Sequence, residues 1–321
     1  MRFRYSLVPL LLLSVAGTAS GQTGNSECSS FPNQAQNVCN AAIDGTRLFH
    51  PLAGLLVSGG NPVIGTAQTL GGLPHFFLSA RVNGVGVRPP NLNFDGSSNT
   101  VATDDKVIFP APLIEGGLGV WKGLNGGLLS VDALGSAQLL PTTQVDNLTV
   151  DPDARKIGSI ALGLGYGARV GIIRGNFPLP SVSVSVMRRS IPRLQYGDIT
   201  DLSQDYQYAV DLDATNLRAV ASMRLLILNV AVGLGWDKYT GGATVIFRDP
   251  ITQLPHAPID IDLDNTRTMA FADAVIDLPI FKIAGEIGYQ GGKDQHLTTN
   301  FDSVDTTKGH FFGGAGIRIT F

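Results

Sequence analysis

From Phe76 to the end of the chain, apolar residues alternate with small or polar residues at a period of two. In the stretch 181–186, three valines alternate with three serines, and the stretch 160–172 alternates large apolar residues with Gly, Ala and Arg. Successive side chains of a β-strand point to opposite faces, whereas a helix repeats every 3.6 residues. The pattern therefore predicts β-strands with one apolar face and one small or polar face.

The alternating stretches predict ten strands, and the longest of them leave room for as many as fourteen. The stretches are 76–87, 112–121, 128–139, 157–173, 180–189, 206–225, 229–247, 267–278, 281–290 and 309–321. Tight connections near 122–127, 175–179, 226–228 and 279–280 take turns with longer polar ones at 88–111, 140–156, 190–205, 248–266 and 291–308. Short turns on one rim and long loops on the other are typical of transmembrane β-barrels. We predict an all-β fold in which residues 76–321 form an antiparallel up-and-down barrel.

The polar face of the predicted strands indicates what the barrel encloses. It is rich in Gly, Ala and Ser and carries single charges, which would cost roughly 2–4 kcal/mol each on a lipid-facing surface. The charged residues predicted to face the lumen are Arg81, Glu115, Asp132, Arg169, Arg218, Asp273, Glu286 and Arg318. We favour a structural interpretation, in which these charges pair with one another across a narrow interior. The other interpretation is a charged constriction that controls which molecules pass, and the two are compatible. The alternative to a membrane barrel is a soluble periplasmic β protein, whose apolar strand face would pack against a core.

Residues 1–21 are predicted to be a secretory signal peptide. Arg2 and Arg4 precede an apolar run at 7–15, and the small residues Ala19 and Gly21 precede a cut after Gly21. The apolar run is shorter than the roughly 20 residues that a transmembrane helix needs. Export combined with a barrel predicts the outer membrane of a Gram-negative bacterium, with its lipid as a partner.

Residues 22–75 show no steady period and form a separate N-terminal segment. Cys28 and Cys39 are the two cysteines of the chain. In an exported protein this close pair predicts a disulfide, and a metal site without nearby histidines is the less favoured interpretation. The stretch 28–48 is polar enough for a short helix, and 49–75 mixes Gly, Pro and apolar residues. We predict a partly helical plug, with a loosely ordered leader as the alternative.

The chain ends on a strand with an aromatic last residue. Gly316, Ile319 and Phe321 match the pattern of glycine, two residues, an apolar residue, one residue and an aromatic residue. This pattern resembles the C-terminal signal of bacterial outer-membrane proteins, which the barrel-assembly machinery reads. Gly314 stands where that signal has a polar residue. The resemblance implies that the assembly machinery is a partner.

The N-terminal segment distantly resembles that of the long-chain fatty-acid and hydrophobic-compound transporter family. That family carries an Asn-Pro-Ala motif in a hatch inside the barrel, and the stretch Asn61-Pro62-Val63 matches it in part. The resemblance implies a hatch and a lumen that binds hydrophobic compounds. The family's fourteen-stranded members are longer than this chain, and no substrate-contacting residue is carried over.

Motifs for other chemistry are missing from the sequence. The five histidines form no pair spaced for a metal with a nearby Glu, and the Gly-x-Ser-x-Gly motif of hydrolases is absent. The alternating carboxylates at 260–264 lack the Gly and Glu of a calcium-binding EF-hand, so we interpret them as the solvated face of a loop arm. A net charge of −3 gives no basic footprint for nucleic acid. We expect no enzymatic activity, no cofactor, no metal and no nucleic-acid partner.

Three functions fit these expectations. The favoured one is passive, porin-like transport of small hydrophobic molecules across the outer membrane, with a hydrophobic ligand in the lumen. A structural or surface-interaction barrel with a sealed lumen is the first alternative. An outer-membrane enzyme that modifies lipid is the second and less favoured one.

Overall fold

The computed structural model describes residues 25–124, 127–141, 147–150, 154, 156–175 and 178–321. The predicted signal peptide, 1–21, lies outside the described residues. A short 3-10 helix (Ser26–Cys28) precedes helix α1 (Asn33–Ser58). The strands are β1 (Phe76–Val87), β2 (Thr100–Val101), β3 (Val107–Trp121), β4 (Val131–Pro141), β5 (Leu148–Val150), β6 (Lys156–Ile157), β7 (Ile160–Ile173), β8 (Ser181–Tyr196), β9 (Tyr206–Leu225), β10 (Leu228–Phe247), β11 (Ile259–Asp277), β12 (Lys282–Gln290), β13 (Asn300–Phe301) and β14 (His310–Thr320).

Ten of these strands form a closed antiparallel barrel in chain order: β1, β3, β4, β7, β8, β9, β10, β11, β12 and β14. The barrel closes where β14 pairs with β1, with Thr320 opposite Phe77. At this seam the N–H group of Phe321 donates to the carbonyl of Phe76 at 2.8 Å, and their rings stack 4.7 Å apart. The predicted fold class is therefore confirmed, with a strand count at the low end of the predicted range.

Three barrel strands are longer than predicted, all toward the rim with the long connections. Strand β3 begins at Val107 rather than 112, β8 ends at Tyr196 rather than 189, and β11 begins at Ile259 rather than 267. In β11 the carboxylates at 260–264 face outward and are exposed, whereas Leu263 is buried against the interior. The prediction that 259–266 belong to a loop was therefore wrong. The acidic residues of the outward face were interpreted as a polar loop, although apolar residues alternate with them as in a strand.

The outer face of the barrel strands is apolar and exposed. Large apolar side chains at least 36% exposed on this face include Leu78, Val82, Ile114, Leu118, Leu164, Val186, Leu217, Val232, Leu234, Ile276, Ile283, Ile287 and Ile317. The aromatic residues Trp121, Tyr166, Trp236 and Tyr289 are also exposed. An apolar band with aromatic residues on the outside is the surface that a barrel presents to lipid.

Strands β9 and β10 are longer than a membrane requires. Each has 20 residues, about twice the roughly 9–11 residues that a tilted transmembrane strand needs. Exposed ion pairs, such as Arg188–Asp213 and Lys238–Asp264, lie on the outer face of β8 to β11. The long-loop ends of these strands therefore extend past the apolar band.

The N-terminal segment runs through the inside of the barrel from the long-loop rim to the short-turn rim. The side-chain amide of Asn37 donates to the carbonyl of Gly96 in the connection 88–106, at 2.9 Å. Helix α1 then descends for 26 residues, about 39 Å at about 1.5 Å per residue. At the other end the N–H group of Leu70 donates to Asp132, near the short-turn end of β4, at 3.0 Å. No helix among the described residues has the length and apolarity to cross a membrane.

Candidate functional site in the barrel lumen

The first half of helix α1 packs into an apolar core at the long-loop end of the barrel. Val38, Ala42 and Ile43 are fully buried there beside Tyr208 and Phe247 of the barrel wall. The disulfide joins Cys28 to Cys39 at the start of the helix, so the predicted pairing is present. The apolar side chains of the first half of the helix are therefore buried against the barrel wall where the helix enters the lumen.

Asp44 of helix α1 ties the helix to the long connection 291–309. Its carboxylate accepts the N–H groups of Thr298 and Thr299 at 2.8 and 2.7 Å, and it pairs with Arg47 at 3.0 Å. Burial raises the pKa of Asp44, although these hydrogen bonds and the Arg47 charge act against that rise. Six residues further along the helix, the imidazole of His50 is also buried.

Helix α1 ends at Gly59, and the chain beyond it is held by wall charges. Gly59 has a φ of +57°, a conformation that glycine adopts without strain. Arg218 donates to the carbonyls of Gly59 and Gly60 at 2.9 and 2.7 Å. On the opposite side, the carboxylate of Glu286 accepts the N–H groups of Gly60 and Asn61 at 2.8 and 2.6 Å. Backbone that would otherwise be buried without partners is thus satisfied by charged side chains of the barrel wall.

The next residues of the segment continue this pattern. Asp273 accepts from the side-chain amide of Asn61 at 2.6 Å and from the N–H group of Gly65 at 3.1 Å. Arg81 donates to the carbonyl of Asn61 at 3.0 Å, and Arg318 donates to the carbonyl of Ile64 at 2.8 Å. Asn61, the first residue of the partial Asn-Pro-Ala match, therefore contacts the barrel wall through both its side chain and its backbone.

The lower end of the segment is fixed near the short-turn rim. Asp132 accepts the N–H group of Leu70 and pairs with Arg169 at 2.7 Å. The hydroxyl groups of Thr69 and Ser130 are hydrogen-bonded to each other. We call residues 59–70, with these contacts, the anchored segment.

The structure places all eight sequence-predicted charged residues inside the barrel. None of them is more than 7% exposed. Arg81 pairs with Glu115 at 3.1 Å and Arg169 pairs with Asp132, and both pairs join neighbouring strands of the wall. Seven of the eight bond directly to residues 59–70, and Glu115 reaches that segment through Arg81. Because a buried charge is costly unless it is paired and hydrogen-bonded, these residues and the segment depend on each other.

Two members of this network were missed by the sequence analysis. Arg189 pairs with Glu115 at 3.3 Å, and Asp237 pairs with Arg218 at 2.6 Å. Arg189 shares the inward face of β8 with the buried residues Ser185 and Met187. The period-two pattern therefore contained the signal for Arg189, but the predicted strand ended at that residue.

The residues of the predicted assembly signal lie at the seam. Gly316 is opposite Arg81 on β1, and a Cβ atom at Gly316 would lie 2.5 Å from the Cβ atom of Arg81. Ile319 and Phe321 share the outer face with Leu78 and Phe76, and Phe321 is 60% exposed. The glycine leaves room for a buried arginine, and the aromatic residue stays on the outer surface.

An apolar cavity of about 140 Å³ lies in the lumen beside helix α1. Its lining residues are Phe49, Leu52, Ala53, Leu56, Val57, Val85, Val87, Phe109, Pro110, Ala111, Leu140, Leu148, Val150, Ile191 and Leu194. All of them are apolar. A ligand in this cavity would therefore contact apolar side chains, and none of the lining side chains could form a hydrogen bond with it.

Further cavities lie above and below the anchored segment. One of about 470 Å³ lies toward the long-loop rim, and two of about 310 and 150 Å³ lie toward the short-turn rim. The upper cavities share no lining residue with the lower ones. The anchored segment and its charges therefore stand between the two groups. Within the described part of the chain, no group of three or more His, Cys, Asp or Glu residues is arranged for a metal ion.

Comparisons with known proteins assign neither a family nor an activity to the chain. No protein-family model and no curated protein matches the chain. Among solved structures, the outer membrane protease OmpT from Escherichia coli is similar over 80% of this chain and 100% of its own, with 12% identity and a TM-score of 0.40. The translocator domain of the autotransporter NalP from Neisseria meningitidis is similar over 90% and 99%, with 12% identity and a TM-score of 0.33.

A third similar structure is the toluene transporter TbuX from Ralstonia pickettii. The likeness covers 83% of this chain and 92% of that one, with 12% identity and a TM-score of 0.27. Likenesses this low assign no activity to the chain. The resemblance to the fatty-acid transporter family stays a hypothesis.

Proposed function

We propose that this protein is an outer-membrane β-barrel that binds small hydrophobic molecules in its lumen and lets them pass without an energy source. The observation that carries the proposal is the apolar cavity of about 140 Å³ between helix α1 and the wall. An engineered cavity of about 150 Å³ lined by similar side chains stays dry and binds benzene. The cavity therefore has the size and lining for a molecule with a single hydrocarbon ring.

The membrane location is supported by the outer surface. In a bilayer, backbone polar groups need partners within the protein, and a closed barrel supplies them between its strands. The exposed apolar side chains of the outer face, such as Leu234 and Ile287, would then lie against lipid. Cleavage of the signal peptide after Gly21 and recognition of the C-terminal strand by the assembly machinery belong to the same proposal.

The anchored segment acts as the gate in this proposal. It separates the upper cavities from the lower ones, so a molecule that passes through the lumen has to displace it. Gly59, Gly60 and Gly65 give this stretch a flexible backbone, and its partners are side chains of the wall. No catalytic step and no cofactor are required.

A sealed structural barrel is the second candidate, and the charge network favours it. Arg81, Arg169 and Arg218 are buried, and each is paired with a carboxylate. Truncation of one partner of such a pair costs about 3–5 kcal/mol, so the network resists opening. In that case the cavity would be a packing defect, and the long loops would carry the function.

The two candidates differ in whether the apolar cavity takes a ligand. The test is calorimetric titration of p-xylene into the protein in lipid nanodiscs, against empty nanodiscs. The substitution Ala53→Leu fills the cavity from the helix side, and Ala80→Leu on the exposed outer face is the matched control. Binding of one molecule that is lost in Ala53→Leu and kept in Ala80→Leu supports the proposal. No binding beyond that of the empty nanodiscs favours the sealed barrel.

A further inference from the structure

The cavity of about 470 Å³ near the long-loop rim has a different chemistry from the apolar cavity. It measures about 470 Å³ and lies between helix α1 and the upper ends of β1, β11, β12 and β14. Its helix side is apolar and consists of Leu48, Pro51 and Leu52. The charged or titratable side chains that line it are Arg88, Lys106, Arg267, Asp305, Lys308 and His310.

The charges around this cavity do not balance. Asp305 is the carboxylate that lines it, and Asp305 pairs with Lys308 at 3.3 Å while also accepting from Thr307. Within the described ranges, no carboxylate oxygen lies within 4.0 Å of Arg88, Lys106 or Arg267. Three cationic side chains thus border the cavity without an ion-pair partner in the part of the chain that the structure describes.

Arg267 is the most informative of the three because it is buried. It is 7% exposed, it donates to the carbonyl of Gly291 at 3.3 Å, and its Nε atom is buried without a hydrogen-bond partner. Arg169 and Arg218 of the lumen have carboxylate partners at 2.7 and 2.6 Å, whereas Arg318, which is also buried, donates to the carbonyl of Ile64 and resembles Arg267 in having no carboxylate partner among the described residues. A buried guanidinium without a counter-charge is costly, and a bound anion would supply that charge.

The other two cations stand nearer the opening. Arg88 and Lys106 are exposed to solvent. A Cβ atom at Gly86 would lie 2.3 Å from the Cε atom of Lys106, so the absence of a side chain there leaves room for the lysine to lie across β1. Cations at the mouth and a buried arginine deeper inside form a path that attracts anions and then holds them.

The two upper cavities adjoin each other. Leu52 on the helix and Val87 on β1 line both the basic cavity and the apolar one. A molecule held at Arg267 by an acidic group can therefore direct an apolar part along Leu52. The combination defines an amphiphilic ligand rather than a hydrocarbon or an inorganic ion.

We propose that the basic cavity binds the acidic group of a small organic anion, with Arg267 as the buried ligand and with Lys106 and Arg88 at the entrance. This inference rests on the proposed function, since it names the substrate class of the same lumen: free organic acids with an apolar part. The carboxylate oxygens accept from the Arg267 guanidinium, and the apolar part lies against Leu52.

The test compares two probes that differ in charge. The protein in nanodiscs of zwitterionic lipid is titrated with 2-naphthoate and with 2-naphthylmethanol. We expect naphthoate to bind about tenfold more tightly or better, because a charged hydrogen bond contributes more than a neutral one. We expect Arg267→Gln to remove that difference by weakening the binding of naphthoate. Arg188→Gln, on the exposed outer face, is the control.

The possible outcomes distinguish failure of this inference from failure of the proposed function. Equal affinities of the two probes, or an anion preference that survives Arg267→Gln, would overturn the inference while leaving the proposed function in place. If neither probe binds while p-xylene does, the inference alone fails, and if p-xylene does not bind either, the proposed function fails with it. If Arg267→Gln does not fold, the exposed Lys106→Gln replaces it, with a smaller expected loss of about threefold for naphthoate alone. Loss of naphthoate binding when anionic lipid is added to the nanodisc would assign the site to a lipid headgroup and overturn the assignment to a free organic acid.

Discussion

The carboxylate of Glu286 on strand β12 accepts the backbone N–H group of Asn61 at 2.6 Å, in the middle of the barrel lumen. The same carboxylate accepts the N–H group of Gly60 at 2.8 Å. The side chain of Glu286 thus binds the backbone directly after the end of helix α1, at the start of the anchored segment. The separation of the upper and lower cavities depends on contacts of this kind.

Substitution of Glu286 by Ala is expected to loosen the anchored segment. It leaves two buried N–H groups without acceptors, each of which costs about 1–3 kcal/mol. Single-channel conductance in planar bilayers should therefore show openings that the unmodified protein lacks. Asp213→Ala removes an exposed carboxylate that pairs with Arg188 on the outer face, and it should leave the conductance unchanged. Identical traces for all three proteins would argue against a gating role for the segment.

The Cys28–Cys39 disulfide is expected to stabilise the upper end of the helix rather than the gate. It closes a loop with a sequence separation of 11 residues, and a loop of this size contributes about 2–3 kcal/mol by restricting the unfolded chain. The double substitution Cys28→Ser with Cys39→Ser should lower the denaturant midpoint of unfolding while conductance stays that of the unmodified protein. A new conductance state in this variant would show that the two ends of the segment are coupled.

Gly316 is expected to be required at the seam for steric reasons. In Gly316→Ala the new Cβ atom would lie 2.5 Å from the Cβ atom of Arg81 and 2.7 Å from the carbonyl oxygen of Ala80. Overpacking of this kind costs about 1–3 kcal/mol, so the fraction of folded barrel on unheated gels should fall. Gly285→Ala is the matched control, because nothing lies within 4 Å of a Cβ atom there. Equal folded fractions would contradict the steric explanation.

The buried carboxyl group of Asp44 is expected to make the protein less stable as the pH rises. Its pKa in the folded protein is raised by burial above the usual value of 3.8. The folded state therefore holds this proton more tightly than the unfolded state. The stabilising contribution is complete below that usual value and is lost as the pH rises through the raised pKa. Comparison of denaturation curves for the unmodified protein and Asp44→Asn across this window should show a steeper decline for the unmodified protein. Parallel curves would contradict it.

The sequence predicted the barrel well because strand alternation is a local signal. Strand β1 was predicted at its observed bounds, and the inward position of charges such as Arg81 followed from the cost of placing them in lipid. The length of β11 was not predicted, because the outward carboxylates at 260–264 resembled a loop once their buried neighbours were ignored.

The site was predicted only in part, because its contacts join residues far apart in the chain. Asn61 and Glu286 are 225 residues apart, and no local pattern indicates that a backbone N–H group meets a particular wall carboxylate. Asp237 was missed for a related reason, since its role depends on Arg218 of the neighbouring strand. The apolar cavity depends on side chains from helix α1 and several strands, so it emerges only from the packed structure.

The central claim is that small hydrophobic molecules pass through the lumen when the anchored segment moves, and a reversible lock tests it directly. The hydroxyl groups of Thr69 and Ser130 are in contact, so Thr69→Cys with Ser130→Cys brings two sulfur atoms within reach of a disulfide between the segment and the wall. The measurement is uptake of radiolabelled p-xylene by proteoliposomes, with the pair oxidised and then reduced. We expect uptake to fall to the level of protein-free liposomes when the pair is oxidised and to recover on reduction. Equal uptake in both states, after mass spectrometry has confirmed the disulfide, would contradict the claim.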